Sequence, residues 1–192
     1  MARLETGNGP GLVICLTGPE STGKTTLAEA LAKRLGVPLV PEVARYYLEG
    51  RDAYDREDLL AIAEAQLDAE AQALATGAPV VVADTDLTVI QVWWEEKYGE
   101  PHVRITTALA ARTRRRYLLA RPDIPWEADP LRESPADRHR LYARYRDLLS
   151  QSPFPFAEIG GAGPARLAAA ERQTRRWLEE AGAGPAGRSA GS

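Results

Sequence analysis

The chain has 192 residues, 44% of them hydrophobic and 27% charged, with a formal net charge of −3. That length suits one α/β domain with a sizeable core, and the composition is that of an ordinary globular protein. Mild acidity excludes a general attraction to nucleic acid or anionic membrane. No apolar run approaches the roughly 18 residues that span a bilayer. The single cysteine, Cys15, lies in the apolar run 12–16, where it builds no disulfide and is expected to be an inert core thiol. With no signal-peptide pattern at the start, a cytoplasmic location is expected.

Residues 1–10 and 182–192 are rich in Gly, Pro and small polar residues and are expected to be disordered ends around a single domain at 11–181. GLVICLTG reads as a first strand. TTLAEALAKRL follows as a helix, with Leu27, Leu31 and Leu35 along one face. VPLVPE is a short second strand. Asp55 caps a helix over REDLLAIAEAQLDAEAQALA, whose apolar stripe is expected to be Leu60, Ala63, Leu67, Ala71 and Leu74. APVVVADTD is a strand buried on both faces, ending in carboxylates. DLTVIQVWWEEKYG is a helix stopped by Gly99 and Pro101. RYLLAR is a weaker strand. Ser134, Pro135 and Asp137 mark the start of the next helix, as N-cap, N1 and N3. PFAEIG is the last strand, and Gly163-Pro164 opens a final helix. Strand and helix in strict alternation mean crossover units and a central parallel sheet of about five strands with helices on both faces.

The first strand runs into GPESTGKTT, in which Gly18, Gly23, Lys24 and Thr25 satisfy G-x-x-x-x-G-K-[ST]. Glycines let the backbone come close to phosphates at a helix N-terminus. Lys24 supplies a point charge for the β- and γ-phosphates, and the Thr25 hydroxyl suits Mg²⁺. Glu20, Ser21, Thr22 and Thr26 complete the expected ATP-binding loop, and the fold expected is a three-layer P-loop NTPase domain. The partner carboxylate belongs at the end of a neighbouring strand. Asp84 is the candidate metal ligand there, with helix capping as the bland alternative; Asp86 is divided between capping and substrate binding.

A guanine reader of the Asn-Lys-x-Asp type cannot be built, since Asn8 is the only asparagine and Gly9 follows it. Asp84 is followed by Thr85 rather than the Glu with which motor-type ATPases activate water. Both features favour transfer to a small molecule. Such transfer needs a base, an acceptor pocket and an arginine-bearing lid. VPEVARYY offers Glu42, Arg45, Tyr46 and Tyr47 at a strand end. ARPDIPWEADPLRESPADR, a small helical lid at about 121–138, carries Trp126, Arg121, Arg132 and Arg138. The bland reading of that stretch is a solvated surface loop.

Together GPESTGKTTLAEALA, PEVARYY, ADTDLTVIQVWWEEKYG and LLARPDIPWEADPLRESPADR resemble the ribosylnicotinamide kinase domain of the NadR type over residues 12–178. The resemblance implies phosphorylation of nicotinamide riboside by ATP and Mg²⁺. VPEVAR is also similar to the strand-end segment of deoxynucleoside kinases, which implies that Glu42 is the base for the 5′-hydroxyl. On this reading Lys24, Glu42, Asp84 and Arg132 form the catalytic set, and Thr25 and Asp84 hold Mg²⁺. The backbone around Gly161 and Gly163 borders adenine. Glu42, Arg45, Tyr46, Asp86 and Trp126 meet the acceptor, with Trp126 either facing the nicotinamide ring or packing in the lid. His102 and His139 stand in no H-x-G-H motif, so a kinase module alone is expected, with another nucleoside or small alcohol as the rival substrate. A nucleotide-dependent regulatory module with little turnover is the rival from a different class. Neither histidine is expected to act, His102 being a surface residue. Trp93-Trp94 reads as core packing, because neighbours on a helix point about 100° apart and only one can face a pocket.

Overall fold

The computed structural model describes residues 11–51, 53–126 and 137–182. Five strands form one sheet: β1 (Leu12–Thr17), β2 (Leu39–Val40), β3 (Val80–Asp84), β4 (Arg115–Ala120) and β5 (Phe156–Ile159). All pairings are parallel, in the order β2-β3-β1-β4-β5. Among the described residues the helices are α1 (Lys24–Leu35), α2 (Val43–Tyr47), α3 (Arg56–Ala75), α4 (Leu87–Tyr98), α5 (Val103–Ala110), α6 (Arg138–Gln151) and α7 (Gly163–Gly182).

The period of two along β1 sorts the core. Leu12, Ile14 and Leu16 point to one face and pack with Leu27, Ala28 and Leu31 of α1 and with Ala170 and Trp177 of α7. Val13 and Cys15 point the other way, toward Val89 and Val92 of α4 and Tyr145 and Leu149 of α6. A residue such as Leu31, fully buried, contributes about 2 kcal/mol through its removal from water. Burial also pushes the Cys15 thiol well above its usual range, as an inert core thiol requires.

The central strand β1 ends at Thr17, so the chain that leaves it, and the chain that leaves β3 beside it, emerge at the carboxyl edge of the sheet. That edge is where open α/β sheets gather ligands.

Several local expectations are corrected. The segment after β2 is not extended: Val43–Tyr47 forms the short α2. Helix α5 has no counterpart in the sequence reading. The buried face of α3 is Leu59, Ile62, Ala63 and Gln66, while Leu67 and Ala71 of the expected stripe are exposed. Alanines populate every side of this helix, so its apolar period is ambiguous by one position. Asp55 does cap it, in a full capping box with Asp58. Ser134 and Pro135 lie outside the described residues, and the described part of α6 begins at Arg138, with Asp137 before it. His102 is half-buried rather than on the surface, its ring 4.4 Å from that of Trp94. The expected disordered stretch 1–10 and all but the first residue of the expected tail also lie outside the described residues.

Candidate functional site

A cavity of about 650 Å³ opens at the carboxyl edge of the sheet. Its floor is the loop between β1 and α1. Gly18 adopts φ +131°, and a Cβ there would lie 2.9 Å from the Ala120 carbonyl oxygen, so the loop passes β4 at a distance only glycine permits. Ser21, at φ 54°, is a strained turn inside the same loop. Thr22 closes the loop on itself, its hydroxyl donating to Pro19 O at 2.8 Å.

Helix α1 then starts without a side-chain cap, on a left-handed Gly23. This contrasts with α3 and α4, whose first N–H groups are taken by Asp55 and Asp86. An uncapped N-terminus under a positive dipole is an anion site. Glu20, Ser21, Thr22, Gly23, Lys24, Thr25 and Thr26 all line the cavity. Lys24 Nζ donates to Pro19 O at 2.8 Å, holding the ammonium over the loop.

Behind Thr25 stands Asp84, 1% exposed, with neither carboxylate oxygen hydrogen-bonded. Burial pushes its pKa up to about 6, and the Glu42 charge pushes the same way. The Thr25 hydroxyl and the Lys24 and Arg45 cations act in the opposite sense. A buried carboxylate left without a partner, beside a threonine hydroxyl, is the hard-oxygen donor set that Mg²⁺ takes when it arrives with phosphates. The residues fit that ion.

Glu42 and Arg45 line the opposite wall, 3.8 Å apart as an ion pair. Glu42 is held from below by Gln66 of α3, which the sequence reading missed. The buried Gln66 amide accepts from Val43 N at 3.0 Å and donates to Pro41 O at 3.3 Å, gripping the backbone on both sides of Glu42. A glutamine on the core face of an alanine-rich helix is the sequence signal for such a role.

The remaining site candidates divide. Gly163 lines the cavity, whereas Gly161 sits just outside it, its N–H donating to Asp123 Oδ2 at 2.7 Å. Tyr46 is 66% exposed and points elsewhere. Asp86 is no part of the cavity wall. Its Oδ1 caps α4 through Thr88 N, and its Oδ2 accepts from Arg112, from Arg115 at 3.0 Å and from Tyr117 at 2.8 Å. The capping alternative is the one its geometry meets. Trp126 does not line the cavity either; Arg138 lies 5.8 Å from its ring. The Arg138 guanidinium donates to Ser21 O and Ile124 O, both at 3.0 Å, so this arginine touches the phosphate loop. Arg121 instead pairs with Glu158. Arg132 lies outside the described residues.

Trp93, Ile124 and Arg166 are among the cavity residues that were not foreseen. Trp93 presents its ring to the cavity while Trp94 is buried, so one of the adjacent pair does face the pocket. Ile124 and Arg166 line the end nearer α7.

Phosphate loop, uncapped helix, orphaned strand-end carboxylate and parallel sheet define a P-loop protein with the fold of P-loop kinases. The chain belongs to the AAA domain family, whose sequence profile matches residues 13–166. No curated protein sequence matches it. Among solved structures it is similar to a NadR protein in complex with NR (TM-score 0.75, 22% identity, 88% of this chain and 52% of that one). A NadR protein in complex with NAD and AMP-PNP follows (TM-score 0.69, 21%, 88% and 50%). Thymidylate kinase from Ehrlichia chaffeensis is also similar (TM-score 0.60, 16%, 88% and 100%). The chain spans about half the length of the NadR chains. Among the described residues, no helix is long and apolar enough to cross a membrane.

Proposed function

We propose that the chain is an ATP-dependent kinase that phosphorylates the 5′-hydroxyl of nicotinamide riboside, giving nicotinamide mononucleotide. The observation that carries this reading is the shared cavity: Lys24 and Thr25, the strand-end Glu42 and the Trp93 ring line one space of about 650 Å³. A phosphoryl donor on the loop thereby faces an acceptor beside a carboxylate. The fold shared with NadR in complex with NR supports the choice of acceptor.

Glu42 accepts the proton of the 5′-hydroxyl as its oxygen attacks the γ-phosphorus, and the bond to the β-phosphate oxygen breaks to release ADP. Lys24 and the N–H groups opening α1 hold the β- and γ-phosphates through the transfer. Asp84 and Thr25 would hold Mg²⁺, which would supply positive charge against the phosphates during the transfer. Arg138, whose guanidinium donates to Ser21 O of the loop, is one candidate for stabilising the transferring group; Arg132 is the other candidate from the same segment. The cavity lining combines the carboxylates of Glu20 in the loop and Glu42 with the Trp93 ring, a pattern suited to a flat cationic ring, with Arg45 offsetting part of that charge.

The test is a panel of nucleosides, each scored for nucleoside-dependent ADP release by the purified chain. Nicotinamide riboside is expected to give the highest kcat/KM. Release no faster with any nucleoside than without one sinks the kinase reading in favour of a regulatory module. Glu42→Gln is expected to lower kcat by roughly 10²–10⁴-fold with little change in ATP binding. A shift confined to the nucleoside KM makes Glu42 a ribose ligand instead of the base.

A further inference from the structure

At the end of the cavity away from Glu42, a buried cation stands where the fold disfavours one. Arg166 is 4% exposed and lies in the first turn of α7, against the positive end of the helix dipole. Burial lowers its pKa, and the Asp123 carboxylate only partly offsets that. One N–H donates to Ile159 O at 3.3 Å, yet Nε has no partner. Its Nη1 is within van der Waals reach of the phosphate loop: a Cβ added to Gly23 would lie 3.6 Å from it and 3.2 Å from Ile124 Cδ1.

The surroundings are apolar. Ile124, Pro164 and Leu167 line the same end of the cavity, and Leu27 and Ala30 of α1 face them. The wall is also made rigid. Asp123 Oδ2 accepts from Gly161 N at 2.7 Å, and a Cβ at Gly160 would lie 2.6 Å from that same oxygen, so the 160–163 turn is clamped onto the segment after β4. A narrow apolar slot with one planar cation on its side is built for a flat ring, because a guanidinium stacks on an aromatic face where an ammonium cannot.

We propose that Arg166 contacts the nucleobase of the phosphoryl donor, in a slot between α1 and α7 roofed by Ile124. The terminal phosphates lie with Lys24 and Thr25, on the other side of Gly23. The proposal rests on the reading of the loop as the donor site, not on the identity of the acceptor. The segment after β4 thereby serves the donor end through Ile124, whereas the sequence reading expects its Trp126 at the acceptor.

Calorimetric titration separates the two halves of the donor. ADP and inorganic tripolyphosphate are titrated separately into the full chain and into its Arg166→Met and Arg166→Lys variants, with no acceptor present. Arg166→Met is expected to weaken ADP binding by roughly 3–30-fold while tripolyphosphate affinity stays within about twofold. Arg166→Lys keeps the charge and a donor for Ile159 O, and is expected to lose part of the ADP affinity with an unchanged melting temperature; it serves as the test if the methionine variant fails to fold. Equal losses for both ligands place Arg166 on the phosphates and overturn the proposal. Unchanged ADP affinity in either folded variant makes the residue structural and overturns it too. Wild-type chain that binds ADP but turns over no nucleoside sinks the kinase reading and leaves this one standing.

Discussion

Asp84 and Asp86 stand two residues apart at the end of β3, exposed by 1% and 2% respectively. Between them Thr85 takes φ 68°, a left-handed conformation that costs a β-branched residue about 1–3 kcal/mol and turns the two carboxylates toward different surroundings. Neither Asp84 oxygen has a hydrogen bond of ordinary geometry, and burial raises its pKa to about 6 against the opposing pull of the Thr25 hydroxyl and the Lys24 and Arg45 cations. Asp86 would also be raised by burial, but Arg112 and Arg115 on one side and Thr88 N on the other bring it down to about 2. Equal burial therefore carries opposite meanings. The satisfied aspartate ties α4 to β4, while the orphaned one carries a desolvation cost that a proton or an arriving cation relieves.

The largest expected effect breaks this contrast from the structural side. Asp86→Asn leaves the buried Arg112 without its charge partner and Arg115 with Glu70 alone, and is expected to lower unfolding stability by about 3–5 kcal/mol. Denaturant unfolding measures it. The sign with pH follows from the same shift: the folded-state value of about 2 lies below the ordinary 3.8, so the stabilisation is present at neutral pH and lost as pH falls from about 4 toward 2. The variant is expected to show a flatter acid limb. A loss under 1 kcal/mol with an unchanged acid limb would mean that the arginines find other partners.

Asp84→Asn should do the reverse. It removes an unpaired buried charge, so the nucleotide-free chain is expected to gain roughly 1–3 kcal/mol of stability. Turnover should fall by at least about 10²-fold, with a higher Mg²⁺ requirement. A variant both less stable and fully active would reduce Asp84 to the helix-cap role weighed against it.

The contrast also shows where the sequence was legible. The order of strands and helices, the phosphate loop and the strand-end position of Asp84 follow from period and motif, which are local. The two aspartates are alike in sequence, since Arg112, Arg115 and Tyr117, which distinguish them, arrive from β4 and the turn before it, far along the chain. The contacts of Gln66 and Arg166 were not legible for the same reason: Pro41 and Val43 in one case, and Gly23 in the other, are far along the chain. Helix α2 was masked by the strand-like run before it, and the α3 face by alanines on every side.

The smallest expected effect tests the same distinction on an aromatic pair. Trp93 and Trp94 are adjacent on α4, so their side chains diverge by about 100°. Trp94 packs among Leu59, Ile62 and Ile105 and against the His102 ring, and its loss is a matter of stability. Trp93 lines the cavity, with Tyr54 stacked behind it at 6.0 Å and 28°. A cationic ring lying on Trp93 gains about 0.5–2 kcal/mol, which converts to roughly 2–30-fold in affinity. Trp93→Leu is therefore expected to raise the KM for nicotinamide riboside by that factor, and to change the KM for a neutral nucleoside such as uridine less, with kcat nearly unchanged. Trp126→Leu is the competing arm. Its ring lies outside the cavity wall beside Arg138, so its replacement is expected to leave the ratio of the two KM values where it was. If Trp126→Leu alone changes that ratio, the cation is read from the segment after β4; if Trp93→Leu weakens both nucleosides equally, Trp93 supplies shape without reading charge.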